Sequence, residues 1–161
     1  MVPRGSALHP PRDHRYAHAM NDAEVNPTAR IVVVAFNNHI FGLDEATGAR
    51  VWRFDFDKFP GSGHVVRLDG ADDVLYALGM GTLACIHLPT GRVLGTVQTG
   101  AVARMCTLLA ARDRIVIGVG DGTVKCFSRT GQLLWEDGFK GEGASEVALA
   151  YGGRFVQADR E

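Results

Sequence analysis

Between Gly79 and Ala84 the run Gly-Met-Gly-Thr-Leu-Ala has the G-x-G-x-x-A spacing of a dinucleotide-binding turn. After a strand and before a helix, such a turn holds a pyrophosphate on backbone N–H groups. The carboxylates Asp55, Asp57, Asp69, Asp72 and Asp73 crowd one stretch and would suit acid–base chemistry if two of them faced each other. His9, His14 and His18 could gather a metal ion, His64 and His87 could each serve as a ligand, and Cys85, Cys106 and Cys126 could supply thiolates. Each of these depends on the element that carries it.

The nucleotide reading fails on its surroundings. After Gly81 comes Thr-Leu-Ala-Cys-Ile-His-Leu, only seven residues before Pro89, and its composition suits a strand. A helix has no room there. The run Gly118–Gly122 is excluded in the same way, because Thr-Val-Lys-Cys-Phe follows it. The aspartates fall in expected loops and strand ends, where solvated charge is the ordinary reading. His64 and His87 read as surface or strand-edge residues. The three cysteines are odd in number, lack C-x-x-C spacing and lie in apolar runs, so they read as small buried hydrophobes, with a reactive thiol as the alternative. No Ser/His/Asp or Cys/His set has a supporting context, so no catalytic, cofactor-binding or metal residue is assigned.

Composition narrows the class of partner. A formal charge of −1 over 161 residues leaves no electrostatic footprint for nucleic acid. No apolar run approaches the roughly 20 residues of a membrane-spanning helix. Met1–Ser6, Met-Val-Pro-Arg-Gly-Ser, reads as the remnant of a thrombin cleavage site, and residues 7–29 read as a flexible tail without hydrophobic period. No leader-like segment is present, which leans toward the cytoplasm, and a periplasmic location stays open if a leader has been removed.

From Arg30 onward the chain repeats itself. Arg30–Trp52, Val74–Gly95 and Arg114–Trp135 each run as an apolar segment, a tight break, a second apolar segment, a Thr-Gly pair and a third segment. Thr47-Gly48, Thr90-Gly91 and Thr130-Gly131 mark the same place in each copy. Trp52 and Trp135 follow four residues after their glycine, where the middle copy has Gly95. The break holds Asn37-Asn38, Met80-Gly81 and Asp121-Gly122 in turn, which are hairpin signals.

The first run of each copy (31–36, 74–79 and 115–120) is apolar at almost every position, as expected of a strand buried on both faces. The segments 64–70, 103–111 and 145–153 add one further strand per unit. The expected architecture is all-β: four-stranded antiparallel meanders in tandem, the blades of a β-propeller, at about 30–57, 64–97 and 103–139. A closing strand at 145–153 and the start of another repeat at 154–161 follow.

Val32–Phe54 resembles the repeat of the PQQ-like (pyrroloquinoline-quinone-type) propellers, an apolar strand and tight turn followed by A-L-D-A-x-T-G-x-x-x-W. Leu43-Asp44-Glu45-Ala46-Thr47-Gly48 and Trp52 carry the match, as do Thr130, Gly131 and Trp135 in the third copy. The middle copy, with His87 in place of the Asp, drifts toward a WD-like blade. The resemblance implies that the tryptophans pack between blades and that the Thr-Gly turns order the last hairpin. Quinone-dependent dehydrogenases of this architecture are much longer and use a central Ca²⁺ site together with adjacent cysteines. This sequence has neither feature, so no cofactor is implied. Other relatives are non-catalytic platforms, including an outer-membrane assembly lipoprotein.

Propeller rings need about four to eight blades, and about three are visible here. Closure between two copies is therefore expected: a homodimer of six blades in which the strand at 145–151 completes the partner's first blade. The alternative is a piece of a longer propeller. The expected function is a non-catalytic scaffold for protein–protein contact. A fragment of a quinoprotein-type enzyme and a small-molecule or glycan receptor remain as alternatives. The expected binding rim carries Asn38, His39, Phe59, Phe139 and Lys140, at the tight hairpins and the long connections.

Overall fold

The computed structural model describes residues 30–36, 38–56, 66–100, 106–143, 145 and 147–156. Every regular element among them is a strand. β1 (Ile31–Phe36), β2 (His39–Asp44) and β3 (Arg50–Asp55) form a three-stranded antiparallel sheet. β4 (Arg67–Ala71), β5 (Val74–Gly79), β6 (Thr82–His87) and β7 (Val93–Gln98) form a four-stranded meander. β8 (Cys106–Ala110), β9 (Arg114–Val119), β10 (Val124–Ser128) and β11 (Leu133–Asp137) form a second one. β12 (Leu149–Tyr151) and β13 (Arg154–Val156) pair as a short hairpin.

The turns follow from local chemistry. Gly79 pairs with Thr82 across a two-residue loop whose members, Met80 and Gly81, have φ of 53° and 75°. Positive φ at both positions matches the twist of the flanking strands, and glycine adopts it without a Cβ penalty. The suspected nucleotide turn is thus a β-hairpin. In the Thr-Gly turns the residue that ends the second strand grips the threonine. Asp44 Oδ1 accepts from Thr47 N (2.8 Å) and Oγ1 (2.7 Å), His87 Nδ1 lies 2.7 Å from Thr90 Oγ1, and Ser128 Oγ lies 2.8 Å from Thr130 Oγ1. Asp44 N donates to Ala49 O and His87 N to Arg92 O, whereas Ser128 N donates to Gln132 O. The third turn is therefore one residue shorter than the other two.

The sheets are stacked face to face through two cores. Strand alternation sends Leu75 and Ala77 of β5 toward the first sheet, where they meet Ile40, Trp52, Phe54 and Phe56. The intervening Tyr76 and Leu78 turn the other way and join Leu108, Ile115, Ile117 and Phe127 of the third sheet. The middle sheet is buried on both faces, as its apolar runs require.

Two expectations need correction at the ends. β1 was expected to be buried on both faces, yet Val32, Val34 and Phe36 are 46%, 41% and 65% exposed. Only Ile31, Val33 and Ala35 pack against the neighbouring sheet. The strand expected around 145–153 is also not left unpaired within the chain. Within it, β12 is hydrogen-bonded to β13 across Gly152-Gly153, where two positive φ values close a tight turn.

Candidate interaction surface

The rim is set by the hairpin turns and by the connections that leave the last strand of each sheet. Phe56 N donates to Asn38 O at 3.0 Å, and Thr99 N and Oγ1 both donate to Gly81 O at 2.8 Å, so hairpin and connection share one edge. Asn38 has φ of 64°, and its Oδ1 is buried with no hydrogen-bond partner among the described residues. His39 is half-buried, its Nδ1 2.6 Å from Asp55 Oδ1, while Arg53 Nε donates to the same oxygen at 2.7 Å. Burial alone would push the Asp55 carboxyl up, but hydrogen bonds from Arg53 and His39 outweigh it and hold the pKa below its usual range. The guanidinium groups of Arg50 and Arg53 stand 4.9 and 5.5 Å from the ring centre of Phe41, within cation–π range.

Phe139 and Lys140 lie beyond β11, exposed, with φ of 45° at Phe139 and its N–H donating to Asp137 Oδ1 at 2.8 Å. They sit two sheets away from Asn38 and His39, so these residues share an edge but do not converge on one pocket. Phe59, His64 and Asp57 lie outside the described residues. Among the described residues no group of three or more His, Cys, Asp or Glu side chains is placed to hold a metal ion. Cys85, Cys106 and Cys126 are buried and outside any disulfide, and burial pushes the Cys85 pKa up to about 11.

Asp69 departs from its expected role as a solvated carboxylate. Its side chain is largely buried within β4, where Oδ2 accepts from Ala110 N at 2.7 Å and Oδ1 accepts from Gly70 N at 2.8 Å. Arg154 of β13 also bonds Asp69 Oδ1 and the Ala110 carbonyl. One carboxylate thus ties β4 to β8 and to the final hairpin. A lone Asp and a lone Arg far apart in sequence carry no spacing signal that would reveal this.

The two tryptophans of the repeat have different surroundings. Trp52 is 3% exposed: its Nε1 donates to Leu88 O at 2.9 Å, and its ring lies over Gly91 of the next sheet. Trp135, at the same place in the third sheet, is 49% exposed. It borders an apolar cleft of ≈ 340 Å³ with Leu109, Val116 and Val124 on one side and residues 147–151 on the other. At the opposite end, β1 presents Val32, Val34 and Phe36 to solvent. The molecule therefore carries an uncovered apolar face at each end of its stack.

Antiparallel meanders of up to four strands, each with a two-residue hairpin and a Thr-Gly turn and packed face to face, are the blades of a β-propeller. The chain belongs to the PQQ-repeat family described as "Outer membrane protein assembly factor BamB", which its residues 36–137 match. Among solved structures it is similar to BamB from Moraxella catarrhalis, with 24% identity, a TM-score of 0.57, and coverage of 82% of this chain and 47% of that one. It is also similar to the computationally designed Ika4 protein, with 24% identity, a TM-score of 0.57, and coverage of 79% of this chain and 78% of that one. The designed Ika8 protein matches at 20% identity and a TM-score of 0.52, covering 80% of this chain and 42% of that one. The chain thus spans about half the length of the BamB chain it matches. No curated protein matches the sequence.

Proposed function

We propose that this chain is a non-catalytic propeller scaffold whose work is protein–protein contact, a second copy of itself being one partner. The observation that carries this reading is the outward face of the first blade. Val32, Val34 and Phe36 form an apolar stripe on a sheet whose other face packs against the second blade. Apolar patches of this kind mark interaction sites. Phe41, capped by Arg50 and Arg53, extends the stripe with the residue types that dominate interface energetics. The rim residues Asn38, His39, Phe59, Phe139 and Lys140 are proposed as a mixed polar and aromatic binding rim bordering such contacts. A family named for an assembly factor accords with a platform that holds other chains.

The test replaces Val34 with a photo-crosslinking residue, and separately Lys140, in the full chain produced in cells. Protein adducts at Val34 support the scaffold reading. If neither position gives an adduct of protein mass, the reading falls.

A further inference from the structure

Trp52 and Gly91 show what joins one blade to the next in this chain. The indole lies over a glycine in the left-handed region, and its N–H is capped by the carbonyl of Leu88, three residues before that glycine. The same parts occur once more, unused, at opposite ends of the molecule. Trp135 is half-exposed, with no such turn beneath it among the described residues. Gly48, with φ of 70°, has open space where Trp52 covers Gly91. The two glycine turns have the same length, since Asp44 N bonds Ala49 O as His87 N bonds Arg92 O. Glu45 therefore holds the place of Leu88.

The apolar positions agree with this. β1 pairs with β2 from Ile31↔Asp44 onward, as β5 pairs with β6 from Val74↔His87, so Val32, Val34 and Phe36 stand where Leu75, Ala77 and Gly79 stand. Leu75, Ala77 and Gly79 are buried by the preceding blade, whereas the β1 residues are bare. Charge agrees as well. Between the second and third blades Asp72 pairs with Arg129 at 3.3 Å, the arginine lying in the Thr-Gly turn. Register places Arg112 at the position of Asp72 and Glu45 at the position of Arg129. The end faces thus carry the same pair with its signs exchanged, and both members are exposed.

We infer that the third blade of one copy docks on the first blade of a second copy, Trp135 seating over Gly48 and Arg112 facing Glu45. This deepens the scaffold reading above and rests on it. The joint is head-to-tail, and two of them about a twofold axis close a ring of three blades from each chain. β13 holds the place that β1 of the second copy takes, because Arg154 pairs with Tyr151 in the register that would seat Ile31. Docking displaces β13, which is held by three backbone pairs and by Arg154 on Asp69 and the Ala110 carbonyl, and pairs β12 with β1 of the second copy.

The test is sedimentation velocity of the full chain across micromolar concentrations, with the single variants Glu45→Arg and Arg112→Glu, the double variant and Trp135→Ala. The expected result is a dimer that each single charge reversal weakens about tenfold or more. The double variant recovers it, and Trp135→Ala loses it. A wild-type monomer throughout, a dimer indifferent to the reversals, or no recovery in the double variant overturns the inference. Protein adducts at Val34 from a chain that sediments as a monomer would remove the second copy while leaving the scaffold reading in place.

Discussion

Trp52 and Gly91 are in van der Waals contact across the joint between the first and second blades, and a Cβ on the glycine would stand 2.5 Å from Cγ of the indole. No side chain, however small, fits there without moving the ring. The φ of 69° at Gly91 adds a second obstacle, since an L-residue pays about 1–2 kcal/mol in that region. Gly48 shares the φ but not the crowding.

Gly91→Ala should therefore destabilise the fold by the backbone cost plus about 1–3 kcal/mol of overpacking. Gly48→Ala should show the backbone cost alone. Urea unfolding of the two variants at low protein concentration measures the difference. Equal losses would mean that the indole yields freely and does not lock the joint.

Asp69, on the edge strand β4, supplies the acceptor for Ala110 N and for Arg154. Asp69→Asn keeps the shape but removes the charge and turns one acceptor into a donor. The expected cost is about 1–3 kcal/mol, with earlier exchange of the Ala110 amide hydrogen. Unchanged protection of that amide would show that the carboxylate is dispensable.

Among the described residues three carboxylates titrate below their ordinary range. Burial raises Asp55, but hydrogen bonds from Arg53 and His39 overcome it; Asp44 is lowered by Thr47, and Asp121 by the backbone N–H and hydroxyl of Thr123. A folded pKa below the unfolded one gives stability that is present above the unfolded value, near about 4, and is lost as pH falls through the folded value. The urea midpoint should fall in acid below about pH 4, and Asp55→Asn should flatten part of that fall. An identical acid slope in the variant would refute the assignment.

Burial pushes the Cys85 thiol up to about 11 and raises those of Cys106 and Cys126. The thiolate is the reactive form, so Cys85 should hold about a hundredfold less of it than an ordinary cysteine at mildly alkaline pH. Alkylation by iodoacetamide, followed by peptide mass spectrometry, should leave Cys85 unmodified until urea unfolds the chain. Native-state labelling at the unfolded rate would contradict this.

What could be read from sequence was whatever adjacent residues encode. Met80-Gly81 and the Thr-Gly pairs dictate turns through their own backbone preferences, and the apolar runs between them dictate strands. The exposure of Trp135 could not be read in this way, because its letters match those of Trp52 and only the neighbouring sheet differs. The Asp69–Arg154 pair escaped for a related reason. The two residues meet because each sheet stacks on the next, and no periodicity links positions so far apart. His87 replaced the expected Asp without loss of the turn, since an imidazole nitrogen can serve the threonine hydroxyl as a carboxylate does.

The alternation along β5 makes one short strand a reader of both joints. Leu75 and Ala77 touch only the first core, and Tyr76 and Leu78 only the second. Isotopic labels on these four consecutive residues would report, within a single strand, which junction loosens first when the chain is heated. The middle blade thus offers a built-in comparison of its two neighbours, free of the sequence and solvent differences that separate any two distant probes.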